Sequence, residues 1–379
     1  MLVTYHAPRC GTTDGVMVWL PRTGMVNDAA LSAWASDGAA SLGSRMPLDQ
    51  LTISAVLPLY NGASYIEESL ASVFSQTTSP LEVIVVDDGS TDDGPGMVER
   101  LAQTLPITLL RKANGGQSSA RNYGIARSQG QLIALLDQDD VWYPNHLAEL
   151  SKPFRRPRYP ELGWVYSNLD EMDETGKMVG RDCLRRASHV THPKRDLVHC
   201  LMADMFVLPS ATIMTRAAFN AVGGFDERLV GFEDDDLFLR MFRAGYDNIY
   251  LDKALTKWRI FGESSSFSSR MAVSRMVYLR KLLADYPNDM HRGLLYTTDL
   301  IVPRFFPWLV REYNMALKSG DIAAIQQALD DIKFLLPMHR TRMRLVMRTL
   351  MPILERPALA RMLVPLGVAA RPALRRLLR

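Results

Sequence analysis

Cysteine is scarce in this chain of 379 residues, and its three copies, Cys10, Cys183 and Cys200, are widely spaced with no C-x-x-C pair. That argues against a disulfide framework or a thiolate zinc site and fits a reducing compartment. Apolar runs are short as well, and none approaches the roughly 18 uninterrupted residues that a membrane-spanning helix needs. The N-terminus has no charged start followed by an apolar core, so no secretory leader is expected and the protein is expected in the cytoplasm. Glycine, proline and charge fractions are ordinary, which excludes collagen-like and wholly disordered chains. Acids are missing from one region: residues 340–379 carry ten arginines against the single acid Glu355, so the preceding chain is net negative although the whole carries +3.

Residues 1–49 show glycine and serine clusters without sustained periodicity and read as a loosely ordered extension. At Leu51 the texture changes. A β-rich run over 51–58 meets a turn at Tyr60-Asn61-Gly62. Ser64 is placed to cap a helix carrying Ile66, Leu70, Val73 and Phe74, with Glu67 completing a capping box. A near-continuous apolar strand over 81–86 runs into Asp87-Asp88. A helix over 96–105, a strand over 107–110, a helix over 118–128 and a strand over 131–136 follow. This alternation predicts an α/β fold with a mainly parallel sheet. Beyond Trp164 the pattern weakens into a mixed insertion up to Phe206. A strand over 210–215 and helices over 216–222 and 234–244 then resume it, and after Ser268 the chain reads as mostly helical.

In such sheets ligands bind beyond the carboxyl ends of the strands, so polar residues there carry the chemistry. Asp137-Gln138-Asp139-Asp140 follows a buried strand. Three carboxylates in four residues repel one another unless a positive charge joins them. A hard divalent cation, Mg²⁺ or Mn²⁺, answers that need, taking one or two carboxylates from the protein and further oxygens from phosphate.

The order and spacing of 53–61, of Val85-Val86-Asp87-Asp88-Gly89-Ser90, of Asn114-Gly115-Gly116 through Arg121-Asn122-Tyr123-Gly124, and of 136–142 resemble the motifs of family 2 glycosyltransferases with the GT-A fold. The resemblance covers about residues 50–265 and implies an inverting transfer from a nucleotide-diphosphate sugar to a saccharide, lipid-linked or protein acceptor. It places Pro58, Tyr60 and Asn61, with Glu67 nearby, along the nucleotide pocket and matches Asp88 to a carboxylate that binds the base. It further implies donor contacts for Asn114, Gly115, Arg121 and Asp137, with Arg121 free to pair instead with an acidic neighbour. Asp139 or Asp140 becomes the metal ligand. Glu233-Asp234-Asp235-Asp236 resembles the motif that opens a helix after the acceptor loop, which makes Asp234 the catalytic base; a purely structural account is acids at the positive end of a helix dipole. Asp236 and Arg240 are spaced to pair at i and i+4.

One departure stands out. Many relatives carry a histidine after the segment matching Lys257-Trp258-Arg259, and Phe261 occupies that place here. His189, His192 and His199 are the histidines available in the insertion. The expected organisation is an extension (1–49), a catalytic domain (50–268) and a helical region with a basic amphipathic tail (269–379). That tail suits an anionic membrane surface; otherwise its apolar face packs on the catalytic domain or on a second copy of the chain. It has no aromatic residue, which disfavours nucleic acid. A nucleotidyltransferase or pyrophosphorylase would open with a glycine-rich, basic loop, and Pro58-Leu59-Tyr60-Asn61-Gly62 is not one. A non-catalytic sugar-nucleotide-binding scaffold would have no use for intact Asp139 and Asp234.

Overall fold

The computed structural model describes residues 51–187, 190–260 and 269–362, and the extension over 1–49 lies outside them. The described residues belong to one unit that begins at Leu51. Its centre is a nine-stranded sheet in the order β3-β2-β1-β4-β8-β6-β9-β5, with β7 paired to β6. The strands are β1 (Ile53–Leu59), β2 (Glu82–Asp87), β3 (Ile107–Arg111), β4 (Leu132–Leu135), β5 (Val141–Trp142), β6 (Leu162–Met172), β7 (Met178–Gly180), β8 (Thr212–Thr215) and β9 (Asp247–Arg259). β3, β2, β1 and β4 run parallel, as the βα alternation predicts. β8 enters antiparallel between β4 and β6, and β6 pairs parallel with β9.

Alternation along β1 divides the core. Ala55, Leu57 and Leu59 face a layer made by α1 (Ile66–Phe74), α2 (Gly94–Leu101) and α4 (His146–Arg155). Val56 faces the opposite layer, with α3 (Gln117–Ile125), α7 (Arg216–Ala221) and α8 (Glu233–Arg243). The short α5 (Cys183–Arg186) and α6 (Leu197–Met202) lie in the insertion. At Gly124 a Cβ would come within 2.6 Å of Val56 and 2.8 Å of Val86, so only glycine lets α3 lie this close to the sheet.

The helical remainder comprises α9 (Ser269–Asp285), α10 (Val302–Ser319), α11 (Ile322–Leu335) and α12 (Thr341–Leu354). Tyr278, Phe305, Leu309 and Ile332 continue the same apolar cluster as α3 and α8. Met347 and Met351 of α12 are buried in it too, so this first part of the basic tail packs on its own chain. Residues 363–379 lie outside the described residues.

Two expectations need correction. The helix after β1 starts at Ile66 behind Tyr65, with no side-chain cap, so Ser64 and Glu67 form no capping box. Instead the Tyr65 and Ile66 N–H groups donate to the Gly62 carbonyl. The segment read as a mixed insertion contains the long central strand β6. Ser167, Asn168 and Asp170 break its apolar pattern, yet all are buried, because the strand is covered on both faces and hydrogen bonds satisfy Asn168 and Asp170.

Candidate active site

Three loops meet at the carboxyl ends of β1, β2 and β4. The β1 loop is joined to the β4 loop by Gln138: the Tyr60 N–H donates to its Oε1 (2.7 Å), and its amide donates back to the Tyr60 carbonyl (3.1 Å). Asn61, at φ +50°, accepts the Thr91 N–H (2.8 Å) and so ties the β1 loop to the β2 loop. Pro58 is buried inside β1, beyond the point where pairing to β4 ends at Val56, so its missing N–H leaves no ladder position empty.

Beyond β2, Asp87 accepts the Ser90 N–H (2.8 Å) and closes the turn. Asp88 is buried. Its carboxylate accepts from Lys112 Nζ (2.6 Å) and from the N–H groups of Gly115 (3.0 Å) and Gly116 (2.7 Å). Asp88 therefore shapes the Asn114-Gly115-Gly116 loop that feeds α3, with Gly116 at φ +85°. Lys112 was not singled out from the sequence, where it stands beside Arg111 two residues before that loop.

Beyond β4, hydroxyl groups hold the acidic turn. The Asp137 N–H donates to Ser210 Oγ (3.0 Å), and Ser69 Oγ lies 2.7 and 2.8 Å from the carbonyl oxygens of Gln138 and Asp140. Asp140 is 2% exposed and accepts the Arg259 N–H (2.9 Å), while Arg259 Nε donates to the Asp139 carbonyl (2.8 Å). Asp140 thus has a structural partner inside the fold. Asp139 is half-buried, and among the described residues no other residue donates to its carboxylate. Burial, then the charge of Asp137, push the Asp139 carboxyl up to about 6. Glu67 stays exposed on α1; its neighbour Glu68 reaches Arg259 instead (2.6 Å).

Arg121 is buried between this turn and the head of α8, donating to Asp137 (2.5 Å) and Glu233 (2.9 Å). Of the two partners left open for it, the acidic one is seen. Burial opposes its charge, but Asp137 and Glu233 outweigh burial and hold its pKa above the usual arginine range.

At the head of α8, three of the four acids have basic partners. Glu233 pairs with Arg121, Asp235 with Arg304 (2.8 Å), and Asp236 with Arg240 (2.7 Å) and Lys281 (2.7 Å). Asp234 has none among the described residues; its carboxylate accepts the N–H of Asp235 (2.8 Å). It is also the one of the four that is not buried. Desolvation, then Glu233, Asp204 and Asp235, hold its carboxyl well above the ordinary aspartate value.

The described insertion histidines are engaged elsewhere. His192 contacts the Tyr166 hydroxyl (2.9 Å) and stacks on Tyr250, while His199 pairs with Asp196 (2.9 Å). His189 and Phe261 lie outside the described residues. Among the described residues no three His, Cys, Asp or Glu side chains are grouped to hold a metal. The donor set still fits a hard cation that takes few protein ligands: Asp139 presents a bare carboxylate oxygen with Asp137 beside it.

Comparison with known proteins bears on this geometry. Residues 54–220 match the family described as Glycosyl transferase family 2. An uncharacterized glycosyltransferase of Rickettsia bellii is 32% identical over 215 residues, which are 56% of this chain and 30% of that protein. Chondroitin synthase of Pasteurella multocida is 26% identical over 59% of this chain and 22% of its own length. The chain thus spans about a third or less of the length of these two relatives. Among solved structures, S. aureus TarS 1-349 in complex with UDP-GlcNAc superimposes with a TM-score of 0.58 at 21% identity, covering 81% of this chain and 87% of that one. The mannosyltransferase PcManGT from Pyrobaculum calidifontis, in complex with GDP-Man and Mn²⁺, gives 0.50 at 19% identity over 88% and 94%. The fold is the GT-A fold of these enzymes. Over residues 54–220 the chain is similar to glycosyltransferase family 2.

Proposed function

We propose that the protein transfers a sugar, with inversion, from a nucleotide-diphosphate donor to a saccharide, lipid-linked or protein acceptor. Asp234 carries this reading: an unpaired, partly exposed carboxylate with a raised pKa, among acids that are all neutralised, is suited to take up a proton. The acceptor hydroxyl gives its proton to Asp234 as its oxygen bonds to the anomeric carbon; the bond from that carbon to the diphosphate oxygen breaks, and the nucleoside diphosphate leaves with the electron pair. A single displacement with a single base inverts the anomeric centre.

The donor lies across the loops that carry Pro58, Tyr60, Asn61, Asn114 and Gly115. Asp88 holds the base end of that pocket through the loop it organises, and Arg121 keeps Asp137 in place. Mg²⁺ or Mn²⁺ would be held by Asp139, with Asp137 next to it and Asp140 buttressing the turn, and when bound it neutralises charge on the diphosphate. PcManGT, whose complex contains Mn²⁺ and GDP-Man, supports this assignment. The chondroitin synthase relative supports a place in polysaccharide or glycoconjugate synthesis.

The setting we propose is the cytoplasmic face of a membrane. Among the described residues no helix is long and apolar enough to cross one. Exposed Leu345, Leu359 and Met362 accompany Arg342, Arg348 and Arg361, and more arginines follow. Deleting residues 363–379 should release the protein from phosphatidylglycerol vesicles, and unchanged binding would refute the membrane contact.

The donor assignment is tested by thermal unfolding with Mn²⁺ and UDP-, GDP- and dTDP-sugars. A ligand that binds the folded state raises the midpoint. If no donor shifted it and none were hydrolysed, the proposed activity would fall.

A further inference from the structure

The loop leading into Asp234 and the first turn of α8 lie just beyond the residues matched to the family, 54–220, and are held by α9 and α10 from further along the chain. Ser274 Oγ accepts the Val230 N–H (2.7 Å). Lys281 Nζ reaches Asp226 (2.9 Å) and Asp236 (2.7 Å). Phe232, the residue before α8, sits at φ +63°, a region that a bulky side chain occupies only when its surroundings hold it there. Those surroundings are aromatic: its ring stacks on Tyr278 (centroids 5.6 Å apart) and packs on Phe305 (6.2 Å).

The tightest attachment is at Asp235. Its carboxylate is buried, accepts the Met205 N–H (2.5 Å), and is met by the Tyr278 hydroxyl and by Arg304 Nη2 (2.8 Å). Arg304 also donates to the Cys200 carbonyl (3.3 Å), so it is anchored at both ends. Asp235 in turn presents its N–H to the carboxylate of Asp234. A path of direct contacts therefore runs from α9 and α10 to Asp234. A buried carboxylate stripped of its cation would take up a proton or turn away, and the N–H that orients Asp234 would move with it.

We propose that Tyr278 and Arg304 are positioning residues for sugar transfer, fixing Asp235 so that Asp234 keeps the orientation in which it receives the acceptor proton. This rests on Asp234 being the base, and it makes the helical region a working part of the site. Precise placement of reacting groups is where such a support acts, since a displacement of about 1 Å can cost about 100-fold in rate.

The test uses the full chain with Mn²⁺ and UDP-GlcNAc or GDP-mannose, whichever is turned over, reading release of nucleoside diphosphate with water as acceptor. Arg304→Met and Tyr278→Phe should each lower turnover at saturating donor by about 10- to 100-fold while donor KM stays within about twofold. Arg304→Lys, which keeps the charge, should restore much of the rate. Tyr278→Phe loses only a hydroxyl and decides the matter if Arg304→Met fails to fold. Unchanged turnover in Tyr278→Phe, or a loss matched by an equal rise in KM, overturns the positioning role. Asp234→Asn run beside them separates the two ideas: if it alone abolishes turnover, the base stands and the positioning role is gone. If it leaves turnover intact, the base assignment itself has failed.

Discussion

Two acidic runs of nearly the same composition, Asp137-Gln138-Asp139-Asp140 after β4 and Glu233-Asp234-Asp235-Asp236 at the head of α8, face the same electrostatic problem and resolve it differently. In the second run Arg121, Arg304, Arg240 and Lys281 neutralise three acids, which leaves one carboxylate unpaired and close to the crowd. In the first, Asp137 shares Arg121 and Asp140 takes a backbone N–H, while Asp139 stays bare. A run whose other acids are paired with the protein's own cations leaves one carboxylate in the position that the proposed reaction gives to the proton acceptor. A run left short of positive charge suits a cation from outside.

The sharpest way to break this contrast is Asp234→Asn. It should lower turnover by about 10²- to 10⁴-fold while leaving the donor-induced thermal shift intact. Equal activity in the variant would remove the base. Next comes Arg121, which both runs share. Arg121→Met leaves two buried or half-buried carboxylates without their cation and should destabilise the fold by about 3–5 kcal/mol in urea titration. A loss below about 1 kcal/mol would mean the pairing with Asp137 and Glu233 is not what holds these loops together.

Asp139→Asn should abolish the extra stabilisation that Mn²⁺ adds to donor binding, about 2.7 kcal/mol at a hundredfold excess over Kd. Asp140→Ala should instead lower stability without metal, because it removes the oxygen that accepts the Arg259 N–H. If the two variants behaved alike, the distinction drawn between these neighbours would be lost.

The smallest effect concerns Asp234 itself. A carboxyl whose folded-state pKa lies above its ordinary value of 3.8 binds its proton more tightly in the folded protein, so stability declines as pH climbs through that interval. Asp234→Asn, always neutral, should therefore melt about 1–3 °C higher than the parent at pH 8 and no higher near pH 4. For the same reason turnover should fall as pH drops through the raised pKa, an acidic limb to be read from a kcat profile.

Much of this was legible in the chain. The parallel half of the sheet announced itself because strands such as β2, covered on both faces, have an unbroken apolar middle, residues 83–86, and end in polar turns. The positions of Asp88 and Asp139 at one edge followed from that alternation, whereas Asp234 was reached through the family resemblance at the start of a helix. β6 was not legible: its buried Asn168 and Asp170 imitate a loop until the partners supplied by Tyr143, Asp182, Leu184 and Asp252 are known.

Local spacing determined by itself which elements form and which edge collects the acids, because periodicity and turn chemistry act over a few residues. Tertiary structure alone decided which acids are left without a cation. The arginines and lysines that neutralise them come from as far as 112 residues away for Arg121 to Glu233, and 69 for Arg304 to Asp235. Electrostatic pairing acts through space, and no short-range pattern in the chain records it.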